Sequence, residues 1–126
     1  ATCCDRPLVF SYQLENETSK SILHTDKNSI WKYAPFLPIL NPHNIVSLGE
    51  GLTPIHKMEE LGKHINQAQL YIKDETNNPT GSFKARGISV AVSKLKELGI
   101  KKCIIPTAGN AGGALAAYCA KANVGK

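Results

Sequence analysis

Two strand–turn–helix runs in the second half of this chain constrain its fold more than any other feature. Leu70-Tyr71-Ile72-Lys73-Asp74 reads as a strand. The stretch Asn77-Asn78-Pro79-Thr80-Gly81-Ser82 after it is dense in turn formers and ends in a serine suited to capping a helix. The expected helix carries Ile88, Ala91, Val92, Leu95 and Leu98 at spacings of three and four, with Ser89, Ser93, Lys94, Lys96 and Glu97 on the opposite face, and Gly99 supplies a stop. The order then recurs. Cys103-Ile104-Ile105 is a short apolar strand, Thr107-Ala108-Gly109-Asn110 a turn, and residues 111–122 an alanine-rich helix. This β-α-β-α order predicts an α/β fold with a parallel sheet covered by helices. A parallel sheet needs several strands and two covered faces, so the expected architecture is incomplete, the N-terminal portion of a larger fold.

The first half is less regular, and the chain divides into a lead-in over residues 1–54 and a partial α/β domain over residues 55–126. Leu8-Val9-Phe10-Ser11-Tyr12-Gln13-Leu14 alternates loosely enough for a strand. A short amphipathic piece follows around Ile30, Trp31 and Tyr33, and Pro35, Pro38 and Pro42 prevent a long helix. Gly49-Glu50-Gly51-Leu52-Thr53-Pro54 is a loop, and residues 58–64 fit a short helix.

Composition removes several function classes. The net charge of +5 comes from 15 basic residues against 10 acidic ones, mostly scattered lysines, with Arg6 and Arg86 the only arginines. No basic cluster interleaved with aromatics marks a nucleic-acid surface. The longest apolar-rich stretch, residues 111–120, is far shorter than a membrane crossing, and no basic-then-apolar leader opens the sequence. Adjacent Cys3 and Cys4 do not make a C-x-x-C knuckle, so no metal is expected. Cys103 and Cys119 read as small buried hydrophobes, and the setting expected is the reducing cytoplasm.

Chemistry would gather where the strands end and the helices begin. Lys84 falls in the first turn of its helix, where the macrodipole opposes a cation and favours the neutral amine, the form that attacks an aldehyde. The bland alternative is a solvated surface lysine. The second turn offers unpaired N–H groups at a helix start, suited to a carboxylate or phosphate. Its glycines also fit a tight turn needed only for packing, and their spacing matches neither a dinucleotide fingerprint nor a P-loop.

Asn78-Pro79-Thr80-Gly81-Ser82-Phe83-Lys84-Ala85-Arg86-Gly87 resembles the cofactor-lysine segment of the fold-type II pyridoxal-phosphate enzymes, and Thr107-Ala108-Gly109-Asn110 resembles their second signature. Arg6-Pro7-Leu8 through Leu14-Glu15, Trp31-Lys32-Tyr33-Ala34-Pro35 and Leu48-Gly49-Glu50-Gly51-Leu52-Thr53-Pro54 are similar to the threonine synthase branch. The resemblance implies a lyase that uses pyridoxal 5'-phosphate on a small amino-acid substrate, converting O-phosphohomoserine to threonine. Lys84 would hold the cofactor and shuttle protons, Phe83 would pack on its ring, and Asn110 would bond its phenolic oxygen. Thr107, Ala108, Gly109 and Ala111 would hold the substrate carboxylate, with Ser82 and Thr53 as further substrate contacts. Ala108 stands where many threonine synthases have a hydroxyl, and Ala85 where many have aspartate. The family's glycine-rich phosphate loop lies further along than residue 126, so the chain is expected to be a fragment, inactive alone, of an enzyme that is open to being a homo-oligomer. A serine or threonine dehydratase, a non-catalytic remnant and a small anion-binding domain remain the alternatives.

Overall fold

Prolines and glycines cut the described part of the lead-in, residues 23–54, into short pieces. The computed structural model describes residues 23–125, and the backbone of residues 2–3 and 6–7. Strands β1 (Thr2–Cys3) and β2 (Arg6–Pro7) pair antiparallel. The strand expected at residues 8–14 lies outside the described residues. A 3-10 helix at Ile30–Phe36 is capped by the Ser29 hydroxyl, which accepts from Trp31 N–H at 3.2 Å. Pro35 sits inside that helix, whose short length is what the prolines predict.

Strand β3 (Ile55–Lys57) leads into helix α1 (Glu59–His64), and the chain returns as β4 (Tyr71–Lys73). β3 and β4 pair antiparallel, with His56 opposite Ile72. Helix α2 (Lys84–Glu97) follows, then a segment without regular structure, then helix α3 (Asn110–Ala122). The expectation of a parallel sheet is not met among the described residues, where both strand pairs are antiparallel. The reason is local. Tyr71–Lys73 pairs with the strand before it rather than across α2, and Cys103-Ile104-Ile105 belongs to no strand among the described residues, leaving Ile104 96% exposed. No described helix is long and apolar enough to cross a membrane.

Helices α2 and α3 pack on each other. Their shared core holds Val46, Ala85, Ile88, Val92, Ala114, Tyr118 and Cys119, with Ile105 and Leu115 against it. Three expectations need correction. Ser89 and Ser93, read as the solvated face of α2, are fully buried, whereas Ala91 and Leu98 are exposed. Cys103, read as buried, is exposed, because its segment has no sheet to enter. Ser82 does not cap α2: Phe83 occupies the cap position, and the Ser82 hydroxyl, though buried, has no hydrogen-bond partner among the described residues.

The inversion of the α2 face has a polar cause. Glu50 is fully buried beside it and forms no ion pair among the described residues. Its Oε1 accepts from Trp31 Nε1 at 2.8 Å and from Ser89 Oγ at 2.6 Å, while Oε2 accepts from Leu48 N–H at 2.9 Å and from Tyr118 Oη at 2.5 Å. Ser93 Oγ accepts from Val46 N–H at 2.8 Å and donates to the Ser89 carbonyl at 2.7 Å. Burial alone would raise the Glu50 pKa, yet the bonds from Ser89, Tyr118 and Leu48 hold it below the ordinary value of 4.5. Tyr118 moves the opposite way, raised first by burial and then by donating to that carboxylate.

A second carboxylate grips α2 nearer its start. Arg86 Nε donates to Glu75 Oε2 at 2.6 Å and Nη2 to Glu75 Oε1 at 2.8 Å, a two-pronged ion pair. Thr53 Oγ1 donates to Glu75 Oε1 at 2.6 Å and accepts from Arg86 Nη2 at 3.2 Å. Asn78 joins the loops: its Nδ2 donates to Glu75 Oε2 at 2.8 Å, and its Oδ1 accepts from Gly51 N–H at 3.0 Å. The Arg86 bonds hold Glu75 down at about 2 from its ordinary 4.5, against a smaller upward push from burial.

Replacing Glu50 by alanine strands the Trp31 and Tyr118 donors in the interior, while Ser89 keeps the Val46 carbonyl at 2.9 Å, and should cost at least about 2 kcal/mol in urea unfolding. An unchanged midpoint would show that the donors find other acceptors. Glu50 and Glu75, both lowered, also give a sign for pH. The unfolded chain binds more protons, so the contribution of Glu75 is complete above about 4.5 and is lost as pH falls toward about 2, and that of Glu50 declines in the same direction. Urea midpoints measured from neutral pH downward should decline through that window, and Glu75→Gln should flatten the decline.

Candidate active site

Thr80 and Gly81 both adopt positive φ, +67° and +70°, in the turn that delivers the chain to α2. That turn brings Phe83 and Lys84 to the helix start. Both are exposed, and Lys84 Nζ stands 4.4 Å from the centroid of the Phe83 ring. The second turn is folded around a single hydroxyl. Thr107 Oγ1 accepts from Gly109 N–H at 3.0 Å and from Gly112 N–H at 3.1 Å. Gly109 has φ +145°, open to glycine, and a Cβ on Gly112 would stand 2.7 Å from Thr107 Cγ2. Thr107 and Gly112 therefore depend on each other.

With those N–H groups turned toward Thr107, the N–H groups of Asn110 and Ala111 have no acceptor among the described residues. They sit in the first turn of α3, where the helix dipole adds partial positive charge. The helix packing of α2 and α3 brings the two turns together. Lys84 and residues 106–111 line one cavity of about 380 Å³. Asn110 also borders a neighbouring cavity of about 610 Å³ that includes His56, Asp74, Glu75, Ser82 and Phe83. Asn110 is thus the residue shared by both spaces.

Of the residues expected in the site, Lys84, Thr107, Ala108, Gly109, Asn110 and Ala111 meet in the smaller cavity, and Ser82 and Phe83 line the larger one. Thr53 lines neither, because its hydroxyl is engaged by Glu75 and Arg86. Sequence reasoning passed over Glu50, Glu75 and Arg86. A carboxylate in a Gly-Glu-Gly loop reads as solvent-exposed, and Ser89 and Ser93, assigned to the polar face of α2, gave no hint of a buried acceptor. Among the described residues no group of three His, Cys, Asp or Glu side chains could hold a metal. The donor set fits pyridoxal phosphate at its aldehyde end, offering a primary amine, an adjacent aromatic ring, a carboxamide and two unpaired N–H groups.

Residues 46–125 match the family model of pyridoxal-phosphate dependent enzymes. The chain is 44% identical over 126 residues to a threonine synthase of Methanosarcina acetivorans, covering 98% of this chain and 31% of that relative. It is 36% identical over 115 residues to a threonine synthase of Methanocaldococcus jannaschii, covering 90% and 28%. A third relative, the 2-amino-4-ketopentanoate thiolase beta subunit of Acetoanaerobium sticklandii, is 39% identical over 118 residues, covering 93% and 23%. The chain spans less than a third of the length of these curated relatives. The matched region contains both turns and the cavity between them, and the chain belongs to the family of pyridoxal-phosphate dependent enzymes.

Proposed function

We propose that this chain carries the lysine half of the active site of a cytoplasmic threonine synthase, a lyase acting on O-phosphohomoserine. The observation that carries the reading is the convergence of Lys84 and residues 106–111 on one cavity, within a chain of this family. Relatives named threonine synthase support the substrate, and the thiolase subunit marks a different activity on a similar sequence. The chemistry belongs to residues 55–126, with residues 1–54 as the lead-in. In the whole enzyme, residues 103–105 would join the parallel sheet of fold type II.

Pyridoxal phosphate, when bound, supplies an electron sink that lets bonds at the substrate carbons break. Lys84 Nζ would hold it and then carry a proton between those carbons. The Phe83 ring would support one face of the cofactor, and the Asn110 carboxamide would donate to its phenolic oxygen. The N–H groups of Asn110 and Ala111 would hold the substrate carboxylate, with the Thr107 hydroxyl, Ala108 and Gly109 shaping the rim. Ser82 is a better substrate contact than Thr53, since its hydroxyl has no partner among the described residues while that of Thr53 is engaged.

Borohydride reduction of the protein mixed with pyridoxal phosphate, followed by peptide mapping, should place the label on Lys84. A label on another lysine overturns the assignment. Lys84→Ala in the whole enzyme should lower turnover of O-phosphohomoserine on the order of 10²–10⁴-fold, the usual worth of a positioned proton carrier. Turnover of serine or threonine in its place would identify a dehydratase.

Asn110→Ala tests orientation rather than proton transfer. The variant should still be labelled at Lys84, but its cofactor absorption band should shift and turnover should fall about tenfold, the worth of one hydrogen bond to the ring. An unchanged band and rate would remove Asn110 from the site.

A further inference from the structure

The turn that delivers Lys84 to α2 is strained. Thr80 takes φ +67° and ψ +15°, and it is the one β-branched side chain at positive φ among the described residues. Glycine adopts that conformation freely, whereas a branched side chain keeps it only where its surroundings over-determine it. A single bond between main-chain groups, from Gly81 N–H to the Asn78 carbonyl at 2.9 Å, spans Thr80. The rest of the restraint comes from one carboxylate.

Glu75 holds the turn from both ends. Its Oε2 accepts from Asn78 Nδ2 at 2.8 Å and from Arg86 Nε at 2.6 Å, and its Oε1 accepts from Arg86 Nη2 at 2.8 Å and from Thr53 Oγ1 at 2.6 Å. Asn78 precedes Thr80 by two residues and Arg86 follows Lys84 by two, so Oε2 alone ties both ends of the turn to one atom. Asn78 is itself buried, and its Nδ2 also donates to the Glu75 carbonyl at 3.0 Å. All these partners lie within this chain, so sequence beyond residue 126 can cover the cluster but is not needed to build it.

We propose that Glu75 is a positioning residue for Lys84, holding the 78–83 turn in its strained conformation and so fixing where the amine stands. The proposal rests on Lys84 being the lysine that holds pyridoxal phosphate. Glu75 borders the larger cavity, but a carboxylate has about four acceptor sites and all are taken, which leaves none for a ligand. It acts through the turn. A carboxylate is needed rather than an amide, because a glutamine turned either way would point its NH2 at two donors. The Arg86 bonds keep Glu75 down at about 2, so the charge persists wherever the enzyme is assayed. Misplacing a reacting group by about 1 Å can cost on the order of 10²-fold in rate.

The test uses the whole enzyme, freed of cofactor, mixed with pyridoxal phosphate and trapped with borohydride at timed intervals, with the label at each lysine quantified by peptide mapping. Glu75→Gln should label Lys84 on the order of 10–10²-fold more slowly than the unsubstituted enzyme, and Arg86→Lys, which keeps the charge but loses the fork, should slow it too. Thr80→Gly removes the strain and should label at the unsubstituted rate. Combined with Glu75→Gln, it should recover most of the loss, since glycine keeps the turn without the clamp. Val92→Ala, in the core of α2 and away from the turn, controls for general loss of stability: its urea midpoint should fall while its labelling rate stays. Should Glu75→Gln show no cooperative urea transition, Arg86→Lys with and without Thr80→Gly decides the same question.

Unchanged labelling in Glu75→Gln and Arg86→Lys, no recovery on adding Thr80→Gly, or equal slowing in Val92→Ala would each overturn the positioning role while leaving Lys84 as the cofactor lysine. Label on another lysine in the unsubstituted enzyme would overturn both.

Discussion

The fold depends on one buried charge. Glu50 brings a carboxylate into the interior with no ion-pair partner among the described residues, and such a charge is tolerated only if every lone pair finds a donor. Four donors meet that need, and each comes from a different place: Trp31 from the lead-in, Leu48 from the loop itself, Ser89 from α2 and Tyr118 from α3. The apolar core between α2 and α3 is small, drawn largely from alanine, valine and isoleucine. Non-directional burial alone would let two such helices slide. A charge that must be met by four directed bonds fixes their register, as well as the position of the lead-in upon them.

That register is what makes the site. Lys84 opens α2 and Asn110 opens α3, and the cavity exists because both helix starts arrive at the same edge. The carboxylate–guanidinium pair of Glu75 and Arg86 holds α2 two residues past Lys84, and Ser89 anchors it one turn further on. The Lys84 amine therefore projects from a stretch gripped on its buried side, while its own neighbours, Phe83 and Gly87, stay exposed. Stiff support behind a free side chain is the arrangement that positions a group without occupying it.

Much of this was legible in the residues. The limits of α2 and α3 follow from turn formers and from Gly99, which takes φ +68° where the helix stops. Lys84 and the 107–111 turn were legible through their motifs. The sheet was not, because a short apolar run such as Cys103-Ile104-Ile105 says only that it prefers to be extended. Pairing depends on a neighbour that local sequence does not name, and here Ile55–Lys57 offers itself to Tyr71–Lys73 instead. The buried face of α2 was misread for a related reason. Periodicity ranks serine as polar, whereas Ser89 and Ser93 are buried because a carboxylate and a main chain amide require them.

The glycines of the second turn show how local chemistry and ligand chemistry are kept apart. A helix start offers several unpaired N–H groups, and a turn that bonded all of them internally would have nothing left for an anion. Thr107 takes the N–H groups of Gly109 and Gly112, which flank the pair on Asn110 and Ala111. The turn is stabilised by its outer amides and leaves its inner ones to the cavity. A bulkier residue at 112 would displace the Thr107 methyl, and with it the acceptor that divides the amides in this way. The small residue is needed less for closeness to a ligand than for keeping the threonine hydroxyl seated. The same hydroxyl, having accepted two bonds, still has its own proton to donate at the rim of the cavity.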